Sequence, residues 1–204
     1  MTKNSSTAQN SPALDPLSET LRLITAAFDR LKISYAVGGS MASSARGVWR
    51  ATLDVDLVAA IQLPQVAGLV AELGSEWYAD ADTIRRSIQA GRSFNVIYMS
   101  RVMKVDIFPA TEEFHSKELE RATLVPLGLG QVSCSVATAE DILLAKLRWY
   151  REGGEVSDRQ WSDITGLIAN NPALDWDYLN PWAARLRVED LLARGMEDAR
   201  LETE

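Results

Sequence analysis

The chain has 204 residues and a formal net charge of −7, with 24% charged and 47% hydrophobic residues, the balance of a globular protein able to bury a good core. That acidity argues against broad nonspecific nucleic-acid binding, though not against a local basic site. The single cysteine, Cys134, excludes an internal disulfide and any Cys-cluster metal centre.

No apolar run approaches the about 18 residues of a membrane span. The polar N-terminus has no signal-peptide pattern, so the chain is expected to be cytoplasmic, with no membrane partner. Residues 1–13 are polar and poor in apolar side chains, and are expected to form a disordered tail. Asp15-Pro16 then reads as an N-cap followed by proline at the first helical position. Leu17, Leu21, Ile24, Phe28 and Leu31 recur at helical spacing, which predicts an amphipathic helix to about Lys32.

The most informative stretch runs from Tyr35 to Ile61. It reads as the end of a strand (Ile33–Val37), a Gly38-Gly39-Ser40 turn, a short helix, and a second strand carrying Asp54 and Asp56. Residues two apart on a strand point the same way, so the two aspartates project together while Leu53, Val55 and Leu57 face the other side. Adjacent carboxylates repel, and a hard divalent cation is the natural agent to offset that repulsion. The glycines let backbone N–H groups approach a phosphate closely, and Ser40 adds a hydroxyl at the helix start. A solvated polar edge is the bland alternative for the aspartate pair.

Farther on, Pro64 opens a helix with Val66, Leu69, Val70 and Leu73 on one face, ending near Gly74. Thr83–Gln89 is a short helix or turn; Arg85, Arg86 and Arg92 read as a solvated basic surface, with a patch facing a phosphate-bearing ligand as the alternative. Phe94–Met99 and Val102–Phe108 are expected to be strands around a turn at Ser100-Arg101. On the second of these, Lys104, Asp106 and Phe108 share a face, which makes Asp106 the natural third carboxylate; an exposed strand residue paired in the neighbourhood of Lys104 is the alternative. The segment Glu112–Arg121 reads as a polar connector, with the lone histidine, His115, on its surface. Leu124–Val136 reads as extended, a strand or loop crossing back to the core.

A strong helix opens at Thr138 and runs through Arg151, with Ile142, Leu143, Leu147, Trp149 and Tyr150 in one apolar arc and Lys146 inside it. An ammonium there either snorkels or meets an anion. Ser157-Asp158-Arg159-Gln160 is a capping box opening the next helix, with Asp163 placed for an i,i+4 pair with Arg159. The remaining Trp- and Leu-rich segment reads as helices packed on that pair.

The order Val37-Gly38-Gly39-Ser40, short helix, Thr52-Leu53-Asp54-Val55-Asp56-Leu57 resembles the nucleotidyltransferase superfamily related to DNA polymerase β. The later D-I-L-L-A-K-L and R-Q-W-S-D-I segments are similar to its abortive-infection toxin (AbiEii-like) group. The resemblance implies an α+β nucleotidyltransferase fold, a mixed β-sheet flanked by helices, with its core over residues 14–136 and a helical region over 137–204. It implies Mg²⁺ or Mn²⁺ on Asp54, Asp56 and Asp106. Gly38, Gly39, Ser40, Lys146 and Asp163 would lie around the NTP, and Asp54, Asp56, Asp106 and Lys146 would act in catalysis. The implied reaction moves NMP from an NTP to an acceptor hydroxyl on an RNA end or a protein side chain, in a toxin–antitoxin or phage-defence setting with a cognate antitoxin or toxin as partner. A small-molecule acceptor of aminoglycoside type is the alternative enzyme reading, and an inactive nucleotide-binding or interaction module is the non-enzymatic one.

Overall fold

A computed structural model describes residues 14–48, 54–127 and 132–201. The expected tail at 1–13 and the Thr52-Leu53 start of the second strand lie outside the described residues. The fold is α+β: a mixed seven-stranded sheet with helices, followed by a helical C-terminal region.

Helix α1 (Pro16–Arg30) begins where the sequence places it. The Asp15 carboxylate accepts from the Leu17 and Ser18 N–H groups, and Pro16 takes the first turn. Strand β1 (Tyr35–Val37) leads through Gly38 into the short helix α2 (Gly39–Ala45), and β2 spans Val55–Ala59. A 3₁₀ turn containing Pro64 precedes α3 (Val66–Leu73). Next come the two-residue strand β3 (Trp77–Tyr78), α4 (Ala81–Gln89), β4 (Phe94–Tyr98) and β5 (Met103–Pro109).

Two segments differ from the sequence reading. The polar stretch after Thr111 is not a connector but helix α5 (Glu113–Arg121), which seats Phe114 and Glu118 in the interior. The extended stretch beyond it is a pair of antiparallel strands, β6 (Thr123–Leu127) and β7 (Val132–Val136), with β7 adding to β1 in parallel. Helices α6 (Ala139–Glu152), α7 (Asp158–Asn170), α8 (Trp176–Leu186) and α9 (Glu189–Leu201) are the last elements among the described residues.

The strand order is β3-β4-β5-β2-β1-β7-β6. The centre of the sheet is the β2–β5 pair, parallel and in register, so that Val55 meets Val105 and Leu57 meets Ile107. All four are fully buried, each worth roughly 1.5–3 kcal/mol of apolar burial. Strand alternation then obliges Asp56 and Asp106 to share the opposite face. Beyond the sheet, Asp141 fastens the helical region together. It is fully buried, and it accepts from the Thr138 hydroxyl at 2.8 Å and from the Tyr178 hydroxyl at 2.6 Å, which ties α8 to the first turn of α6. Among the described residues, no helix is long and apolar enough to cross a membrane.

Candidate active site

A cleft of about 450 Å³ opens between α2, the ends of β2 and β5, α5 and α6. Its floor is the β2–β5 pair, whose register sets Asp56 directly beside Asp106 on neighbouring parallel strands. Asp54 does not lie on the strand as expected: β2 begins at Val55, and Asp54 is an exposed residue just before it.

The turn before α2 is built around Asp56. The Gly38 N–H donates to the Asp56 carbonyl at 2.9 Å, so this donor belongs to the backbone and not to a ligand. Gly39 has φ +56°, and a Cβ there would fall 1.9 Å from Asp56 Oδ2. Only glycine serves at such a place, where both the left-handed conformation and the space exclude a side chain. Ser40 follows on the cleft wall, and the Ser43 and Ser44 hydroxyls cap back onto the Gly39 and Ser40 carbonyls.

Burial pushes the Asp56 carboxyl up to about 6, with the charges of Asp106 and then Asp54 adding to the rise. Three acids are therefore felt at one point, against the milder opposing charges of Lys104 and Lys146. Lys104, two residues before Asp106 on β5, places Nζ 2.6 Å from Asp106 Oδ2; the hydrogen bond to Asp106 raises the lysine's pKa. Among the described residues no three His, Cys, Asp or Glu side chains are drawn together as a metal cage. The donor set is nevertheless all carboxylate oxygen, the chemistry of Mg²⁺ or Mn²⁺. Asp56 and Asp106, neighbours on adjacent strands, gather negative charge that a cation would offset, so the residues fit such an ion.

Lys146 reaches the cleft from α6, but it is neither snorkelling nor bare. Its Nζ lies 2.8 Å from Asp163 Oδ2 on α7, both side chains being largely buried (15% and 9% exposed). Asp163, expected beside Arg159 on its own helix, thus bridges to the neighbouring helix. The Arg148 guanidinium grips both Glu112 oxygens and the Glu152 carboxylate at the rim.

The wall opposite Asp56 holds residues to which the sequence reading assigned nothing. His115 lines the cleft from α5, and its buried Nδ1 has no hydrogen-bond partner among the described residues; burial lowers its pKa. Glu118, one turn on, is 3% exposed, and burial, then the charge of Asp141, pushes its carboxyl up to about 8. The signal that locates them is the helical spacing of Phe114 and Glu118, which share one face once α5 is seen as a helix. Arg85, Arg86 and Arg92 do not line the cleft.

No protein-family model and no curated protein sequence matches the chain. Solved structures do. The solution structure of the antibiotic-resistance factor ANT(2'')-Ia superposes with a TM-score of 0.51 at 16% identity, covering 89% of this chain and 96% of that one. A crystal structure of ANT(2'')-Ia in complex with adenylyl-2''-tobramycin gives 0.50 at 16% identity, over 83% and 96%. An antigenic nucleotidyltransferase-like protein from Paracoccidioides brasiliensis gives 0.51 at 18% identity, over 92% and 95%. At such identities the likeness is one of fold: the chain has a nucleotidyltransferase-like fold.

Proposed function

We propose that the chain is a metal-dependent nucleotidyltransferase, transferring NMP from an NTP to an acceptor hydroxyl with release of pyrophosphate. One observation carries this reading: Asp56 and Asp106 are paired side by side on parallel strands, under a glycine turn that leaves no room for a side chain. Of the two, Asp56 lines the cleft, and an inactive module has no need to keep a second acid beside it.

In the reaction the acceptor oxygen bonds to the α-phosphorus as the bond from that phosphorus to the bridging oxygen breaks, and pyrophosphate leaves with the electron pair. The hydroxyl proton passes to the Asp106 carboxylate. Asp54, Asp56 and Asp106 would hold Mg²⁺ or Mn²⁺, which when bound would supply charge neutralisation and a lowered hydroxyl pKa. Ser40 and the backbone of the Gly39 turn hold the outer phosphates. Lys146 faces the triphosphate charge, and Asp163 positions its ammonium.

A small-molecule acceptor, of the aminoglycoside type, is the acceptor class that the cleft favours. Its volume of about 450 Å³ is that of a small-molecule site. ANT(2'')-Ia, of similar fold, is known bound to an adenylylated tobramycin. An RNA-end or protein acceptor, with a cognate antitoxin as partner, rests on the Lys146 and Asp163 motifs alone. Incubation with each α-labelled NTP and Mg²⁺, beside an aminoglycoside panel, total RNA or cell lysate, separates these. Label is expected on a small amine-bearing acceptor; label on RNA or protein would reassign the acceptor, and label on nothing would oppose the transferase reading.

A further inference from the structure

Two of the largest side chains on the cleft wall have no part in the chemistry above. Phe108 on β5 and Trp149 on α6 both line the cleft, with ring centroids 5.0 Å apart at an interplanar angle of 55°. Trp149 is 47% exposed, whereas Trp77 and Trp182 are each only 8% exposed. A lone exposed apolar residue needs no explanation, but Trp149 differs in how its ring is treated. Arginine covers the rings of Tyr178, Trp182 and Trp161. Among the described residues no cation covers Trp149, although Arg148 is its neighbour, because Arg148 is tied to Glu112 and Glu152.

The position of the pair is set by two periodicities. Phe108 lies two residues beyond Asp106 on the same strand face, opposite Val58. Trp149 lies one helical turn beyond Lys146 on α6. A group assigned to the reaction and an aromatic ring on the cleft wall thus follow one another along the strand, as Asp106 and Phe108, and along the helix, as Lys146 and Trp149. We propose that Trp149, backed by Phe108, is the platform on which the nucleobase of the bound NTP stacks. This rests on the nucleotidyltransferase reading and adds the ligand half that the carboxylates leave unaddressed. Stacking needs only a π-face and tolerates every base. The site therefore accepts all four NTPs and grades them by ring size, purines above pyrimidines.

The test is equilibrium binding of ATP, CTP and inorganic tripolyphosphate, each with Mg²⁺, to wild type, Trp149→Ala and Trp149→Phe, with melting curves to establish that each variant is folded. Trp149→Ala is expected to weaken ATP binding roughly tenfold to a hundredfold. CTP should weaken less and tripolyphosphate not at all, while Trp149→Phe keeps most of the affinity. Equal ATP affinity in wild type and Trp149→Ala overturns the stacking platform alone. An equal loss for tripolyphosphate also overturns it, since Trp149 would then act on the phosphate site. Wild type that binds neither ATP nor tripolyphosphate removes the nucleotidyltransferase reading and this proposal with it.

Discussion

Gly39 and Asp56 occupy space that admits no further atom: a Cβ on residue 39 would lie 1.9 Å from Asp56 Oδ2 and 2.9 Å from its Cβ. The contact couples the turn to the carboxylate. Gly39→Ala must either move Asp56 or unwind the first turn of α2, and it also leaves an L-residue at φ +56°. The expected cost is at least about 2 kcal/mol, read as a lower midpoint in denaturant, together with loss of nucleotide transfer. A midpoint equal to that of wild type would show that the turn is looser than this packing.

Asp106→Asn separates chemistry from folding. Its ion pair with Lys104 is half in water, Lys104 being 46% exposed, and such pairs contribute about 1 kcal/mol at most. Stability should therefore change little, while transfer should fall by at least ~10²-fold, the lower end of what general acid–base catalysis supplies. Activity that survives the substitution would make Asp106 an ordinary strand residue.

Lys146→Met distinguishes a paired lysine from a snorkelling one. The snorkelling reading makes the variant neutral or slightly stabilising. The 2.8 Å contact with Asp163 reverses that expectation. Removing the ammonium leaves a largely buried carboxylate without this partner, at a cost of about 3 kcal/mol, and Lys146→Met/Asp163→Leu should recover most of it. Urea midpoints of the single and double variants decide between the two; a single variant as stable as wild type would sever the pair from stability.

The two raised acids make stability depend on pH. Burial pushes the Glu118 carboxyl up to about 8 in the fold from an ordinary 4.5, and that of Asp56 up to about 6 from 3.8. In each window the folded state binds more protons than the unfolded one, so stability falls as pH rises. The Asp56 contribution is lost between about pH 4 and 6, and that of Glu118 between about pH 4.5 and 8. Glu118→Gln should thus be more stable than wild type at pH 8, by at least about 1 kcal/mol, and near parity at pH 4. A gap that does not change with pH would mean that Glu118 binds its proton equally in the folded and unfolded chains.

Much of this site is legible in the sequence, because its signals are local. The Gly38-Gly39-Ser40 turn, the alternation around Asp56 and the alternation around Asp106 are each read within a few residues. The pairing of Asp56 with Asp106 is not, since register between distant strands is a tertiary fact. The α5 helix is hidden by composition: in E-F-H-S-K-E-L-E-R only Phe114 and Leu119 are large and apolar. Its burial comes from Phe114 packing at 5.5 Å on Trp182, far along the chain. The partner of Lys146 is hidden by a nearer candidate, because Arg159 offers Asp163 a pair at helical spacing while the contact that forms crosses between helices. Trp149 falls within an apolar arc, and only the cleft beside it explains why that ring stays exposed.

Asp56 and its neighbouring carboxylates are proposed to hold a divalent cation together with nucleotide. Titration of Mn²⁺ in the presence of a non-hydrolysable NTP, followed by the loss of the free-ion electron paramagnetic resonance signal, addresses this without relying on turnover. Wild type should take up Mn²⁺ tightly, and Asp56→Ala should take up almost none while remaining folded. Equal uptake by the two proteins, or none by wild type, would contradict the account.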